Sequence, residues 1–311
     1  MLRRPNRSDR RHADDALSEV IGFILILALI TIFLSIWMTY VIPAEGRQQE
    51  IEHMNYVRDW FTQYKVTADS LWINHGEDKA LTGMTFSNSL VLGSQGGATQ
   101  AGGLFMPLMR PIGSTGGIAV RNYDADGGQE RIEIHVDGES INFSLGRLEY
   151  ETANNYWVSQ TYYYQMGGVF LKQPNIGTVS RVAPLINFKK DAGLIDIYIT
   201  VIQVVEGGRA GISGQGPVRI DTELDSVIEY EPLSNSDVRI EFYLTDLKDA
   251  EGWWKTLREE RIQAGLTESE CPITLDQSIK IVSIDPQLTT GIHYRTVRYN
   301  VSLQSVATGA E

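Results

Sequence analysis

Asn122-Tyr123-Asp124-Ala125-Asp126-Gly127, closed by Glu133, is the stretch whose residue types and spacing come nearest to a chemical site. Oxygen ligands at alternating positions, a glycine for the sharp turn and a glutamate in twelfth place fit a calcium loop, with Asn replacing the first Asp. The flanks, however, read as strands, and Gln129 stands where an apolar residue is usual. Asp-Gly-Gly between two strands already makes a sufficient hairpin turn, so the turn is preferred and no metal site is assigned. His12, His53, His75, His135 and His293 are scattered, with no H-E-x-x-H or comparable spacing. His135 falls on the polar face of an alternating strand, as does Glu133. Cys271 is the only cysteine, so no intramolecular disulfide forms, and just before Pro272 it reads as a structural thiol. No G-x-S-x-G elbow or phosphate-binding loop is present. The expectation is a protein that is not an enzyme, with no catalytic residues and no cofactor. Asn142-Phe143-Ser144 and Asn300-Val301-Ser302 match the N-glycosylation acceptor pattern.

The elements that would position these residues are mostly strands. From about residue 80 the hydrophobic period is two, and Gly-rich or Asp-Gly breaks separate roughly a dozen runs. Arg131–Val136 alternates cleanly; Leu194–Val205 is more continuously apolar and reads as a central strand buried on both faces. The fold class expected is α+β, with a mainly antiparallel, two-sheet sandwich-like head over 76–311. One short helix interrupts it at Asp249–Ala264, capped by Asp246 or Asp249, with Trp253 and Trp254 packing it onto the sheet. The aromatic stretch Tyr156-Trp157 to Tyr162-Tyr163-Tyr164 reads as cross-strand pairs rather than an exposed adhesive stripe. Before the head, Ile51, Met54, Val57, Phe61, Tyr64, Ala68 and Leu71 recur at steps of three and four. They mark an amphipathic helix within 43–75, with Arg47, Glu50, Asp59 and Lys65 on its other faces.

The whole is hung on the N-terminus. Val20–Ile42 holds 23 residues without a charge. As a helix rising roughly 1.5 Å per residue it is about 34 Å long, enough to cross a bilayer core with some tilt. It is too long for a secretory signal, and Pro43-Ala44-Glu45 makes a poor cleavage site. Pro43 is expected to bend or end this helix. Arginines at 3, 4, 7, 10 and 11 precede it, so the reading places the N-terminus in the cytoplasm and the head outside.

The junction Ala16-Leu17-Ser18-Glu19-Val20-Ile21-Gly22 behind that basic leader resembles the class III, type IV prepilin-like signal of archaeal pilins and archaellins. The resemblance implies a leader at 1–16, a pilin helix at 17–42, and removal of the leader by a prepilin peptidase between Ala16 and Leu17. It also implies a role for Glu19 in assembly, its charge met by the new amino group of a neighbouring subunit. A first-turn carboxylate favoured by the helix dipole explains Glu19 equally well.

Net charge is −12 over 311 residues, and the residues after Ala16 carry −14, which argues against nucleic acid as a partner. The expected function is a minor or specialised pilin-like subunit serving filament assembly or adhesion. Its partners would be the peptidase, other pilin-like subunits and membrane lipid. The alternative is a membrane-anchored binding module that does not polymerise.

Overall fold

In lipid or in water, a run as apolar as Val20–Ile42 pairs its backbone most simply within itself, and the computed structural model makes it helical throughout. The structure describes residues 7–75, 81–94, 110–121, 130–191, 193–234, 237–288 and 290–305. Helix α1 runs Arg7–Ile36, a π-helical turn follows at Trp37–Val41, and α2 continues from Ile42 to Ile73. Pro43 neither ends the helix nor leaves its ladder intact. Proline has no N–H to give, and its ring crowds the carbonyl four residues back. The π turn absorbs this: the Ile42 N–H bonds Trp37 O, five residues back, so the ladder changes register just before the proline.

The chain is thus α+β: a long apolar N-terminal helix, then a mainly antiparallel head. The described strands form three sheets where the sequence suggested two. The first is ordered β1 (Thr85–Leu92), β12 (Gly216–Glu229), β17 (Thr290–Ser305), β10 (Leu194–Glu206) and β9 (Ile186–Asp191), with β13 (Leu233–Ser234) also on β17. The second is ordered β11 (Gly211–Gly214), β2 (Thr115–Arg121), β5 (Arg147–Ala153), β6 (Thr161–Gln165), β7 (Gly168–Gln173) and β8 (Gly177–Val182). The third is ordered β15 (Ile273–Asp276), β16 (Ile281–Ile284), β14 (Val238–Tyr243), β3 (Arg131–Val136) and β4 (Glu139–Ser144). Helix α3, Leu247–Gln263, is 17 residues long and lies where the sequence placed a helix. Asp246 is its cap, accepting the N–H groups of Lys248 at 2.7 Å and Asp249 at 3.3 Å, and Gly265 stops it at φ +71°.

Two hydrophobic cores result. One gathers Met54, Val57, Phe61, Tyr64 and Ala68 of α2 against the second sheet and one end of the first. The other gathers Ala250, Trp253 and Leu257 of α3 against the third sheet and the other end of the first. Strands β10 and β17 serve both. Ile195, Ile197, Ile199 and Val201 enter the α3 core, whereas Ile202 and Val204 turn their opposite face to the α2 core. On β17, Ile292 and Tyr294 go one way and Val297, Tyr299, Val301 and Leu303 the other. Each face is buried over half the strand's length, which is why the apolar run looked continuous. These two strands pair in parallel over Ile195–Glu206, the one parallel pairing among the described strands.

Cys271 sits wholly inside the α3 core, where burial pushes its thiol up to about 12. The thiolate is the reactive form, so burial suppresses attack twice, by access and by protonation. A disulfide-forming thiol reagent at pH 8 is therefore expected to label Cys271 only as the head unfolds. Rapid labelling of folded protein would contradict this placement.

Candidate functional site

The surface best suited to an interaction is the first half of the long helix. Glu19–Ile73 is one helix long and apolar enough to cross a membrane. Phe23, Leu25, Leu29 and Ile32 are each more than 60 % exposed, so no described residue covers them. Glu19 is exposed at the start of this stretch, while Ala16 and Leu17 lie within the α1 backbone helix.

The second half is fixed to the head. Its buried stripe runs Ile42, Gly46, Glu50, Met54, Val57, Phe61, Tyr64 and Ala68, one residue per turn. Burying side chains such as Val57 and Phe61 contributes about 1.5–3 kcal/mol each. Trp60 Nε1 donates to Ser89 O at 3.0 Å, and the Tyr64 hydroxyl meets Thr222 Oγ1 at 3.0 Å.

Glu50, expected on an outer face, is instead on this stripe and 1 % exposed. The loop before β6 turns three successive amides toward it. Asn155 N–H reaches Oε1 at 2.6 Å; Tyr156 and Trp157 N–H reach Oε2 at 2.8 and 2.6 Å. A carboxylate held by three backbone donors is a buried charge with its partners supplied. One turn earlier Gly46 lets the Tyr156 ring lie against the helix: a Cβ there would stand 2.4 Å from the ring. Glu50 and Gly46 thereby lock the helix where it leaves the uncovered half.

A second polar cluster ties α3 to the second sheet. Asp249, fully buried, accepts from Arg147 at 3.0 Å, Lys172 at 3.1 Å, Tyr163 at 3.2 Å and Thr178 at 2.7 Å. Arg147 also meets Glu149 at 2.7 Å and Glu130 at 3.6 Å. Burial works against the Arg147 charge, but Glu130, Glu149 and Asp249 outweigh it and raise its pKa. Trp253 Nε1 donates to Gln165, whose amide donates to Glu130. A largely buried network of this kind positions the elements it joins.

A cleft of about 330 Å³ opens on the outer face of β10 and β17. Tyr198 stacks on His293 at 4.5 Å, Tyr230 stacks on Tyr294 at 4.5 Å, and Arg295 pairs with Glu229 at 2.9 Å. Of the aromatic stretch, Tyr162, Tyr163 and Tyr164 are buried on β6, whereas Tyr156 and Trp157 lie in the loop before it, not on a strand, and Trp157 is exposed. Of the sequon residues, Asn142 is exposed on edge strand β4. Asn300 is half-buried on β17, its amide 3.4 Å from Asp225. Asn122–Gln129 lies outside the described residues; Glu133 lies on β3, bonded to Arg131 at 2.6 Å. Glu133, His135 and Glu241 form the one convergence of three potential metal ligands among the described residues. The sequence hid it because Glu241 comes from another strand; the alternating Glu-x-His on β3 was its only local trace.

Comparison with protein-family models, with curated proteins and with solved structures finds no match to this chain.

Proposed function

We propose that this chain is a pilin-like cell-surface protein, a minor or specialised subunit of an archaeal type IV pilus-like filament serving assembly or adhesion. The observation that carries the reading is the division of one continuous helix. Its apolar first half has no cover among the described residues, and its second half is locked into a β-rich head. The prepilin-like junction at Ala16-Leu17 adds support from the sequence. In this mechanism a prepilin peptidase removes the arginine-rich leader on the cytoplasmic side. The helix then passes sideways out of the membrane lipid into a bundle of like helices, with the head displayed outside. Apolar surface that lipid covers is covered by neighbouring subunits instead, so the transfer needs no unfolding of the head. Glu19, at the third position after the cut, would pair with a neighbour's new amino group. The head is sandwich-like in that its sheets share buried faces, and it performs no reaction.

A second reading is favoured by the aromatic-walled cleft at Tyr198 and His293: a single-span anchor whose head binds a ligand as a monomer. Mass spectrometry of the N-terminus, on protein from membranes and from sheared surface material, separates the two. The pilin-like reading expects chains beginning at Leu17 in the sheared fraction. An intact leader on membrane-retained protein alone would leave the anchored binding module.

A further inference from the structure

The outer face of the third sheet carries a feature that neither reading uses. Strand β3 alternates, so Ile132 and Ile134 enter the α3 core while Arg131, Glu133 and His135 stand on the opposite face. Strand β14 does the same with Arg239, Glu241 and Tyr243. The antiparallel register sets Glu133 directly opposite Glu241. Two like charges at directly opposed positions destabilise a ladder unless something positive lies between them.

His135 completes the group. Its Nε2 is 3.6 Å from Glu133 Oε2 and 3.5 Å from Glu241 Oε2. That nitrogen is inaccessible and has no hydrogen-bond partner. The flanking residues hold both carboxylates. Arg131 Nε donates to Glu133 Oε1 at 2.6 Å, leaving Oε2 toward the imidazole, and Tyr243 donates at 2.8 Å to Glu241 Oε2, the same oxygen that faces the imidazole. The Arg131 guanidinium lies 3.7 Å above the Tyr243 ring, fixing both supports. Arg239, the other nearby cation, stands 4.0 Å from Glu241 Oε1 and also faces Asp285.

We propose that Glu133, His135 and Glu241 bind one first-row divalent transition ion of the zinc class, coordinated by His135 Nε2 and one oxygen of each glutamate, with solvent in the remaining position. Ligands roughly 2.1 Å from zinc in a tetrahedron are about 3.4 Å apart, close to the spacings from Nε2 to both oxygens. One imidazole with two carboxylates suits zinc better than calcium, which takes six or more oxygens. Arg131 and Tyr243 act as the outer partners that orient metal ligands. The ion would meet the charge of the opposed glutamates and pin β3 to β14 beside Asn142, which pairs with Glu133 on β4.

The test uses the full chain in detergent, stripped of metal and titrated with zinc by calorimetry. A parallel titration with cobalt(II) reads the visible bands of the bound ion. One ion per chain is expected, with His135→Ala and Glu241→Gln each weakening it by roughly tenfold or more, since even loss of an outer partner costs about that much. Circular dichroism of the variants confirms folding, which these surface positions should leave intact. Absence of zinc binding overturns the proposal, as does binding that both variants retain. A protonated His135 bridging the glutamates without metal would appear as the first of these results.

Discussion

Asp249→Ala is expected to destabilise the head by about 3–5 kcal/mol, the usual cost of removing one partner from a buried charge pair. The wild-type carboxylate collects four donors from four strands: Arg147 on β5, Tyr163 on β6, Lys172 on β7 and Thr178 on β8. Without it, Arg147 keeps Glu149 and Glu130, but Tyr163 and Thr178 lose their acceptor inside a core. Helix α3 also loses an acid in its first turn, where the helix dipole favours one. Denaturant unfolding followed by tryptophan fluorescence reads the effect, since Trp253 stacks on Phe242 at 5.1 Å and lies 5.0 Å from Phe170. Asp249→Asn keeps the volume and one acceptor oxygen, so it should fall between the two. A loss below about 1 kcal/mol in the alanine variant, as for an exposed pair, would show that the cluster does not hold α3 in place.

Glu50→Ala acts on the other polar lock, at the helix–head junction. Hydrogen bonds to a charged group are worth about 1.5–3 kcal/mol each, and they are not additive here because one loop supplies all three amides. A net loss of roughly 3 kcal/mol is expected. The specific readout is amide exchange at Asn155, Tyr156 and Trp157. These amides should exchange about a hundredfold faster in the variant, matching a loss near 3 kcal/mol, while amides of β10 stay protected. Equal acceleration throughout the head would mean that Glu50 supports global stability and not the junction in particular.

Much of the architecture was legible because hydrophobic period reports burial. The α2 stripe from Met54 to Ala68, the alternation of β3 and the apolar length of β10 all survive almost residue for residue. What escaped depends on partners remote in sequence. Edge strand β9 ends in the polar, exposed residues Lys189, Lys190 and Asp191, so its pattern fades although its backbone is paired. Glu50 was assigned outward because a carboxylate scores as solvent-facing. Only the arrival of residues 155–157 from over a hundred positions away makes its burial favourable. Likewise the helix could not be read through Pro43, since a π turn has no residue signature of its own. For the candidate site, the apolar half of the long helix was evident from composition, and the Glu133–His135–Glu241 group needed the β3–β14 register.

The half-and-half burial of β10 and β17 has a mechanical consequence. The long helix is seated in one core and α3 in the other, and both strands run from the second into the first. Tension applied between the two cores therefore travels along the strand axes. Two strands, joined by twelve residue pairs, therefore share that tension along their covalent backbones. A pull on one core would thus reach the other through the strand axes of the first sheet.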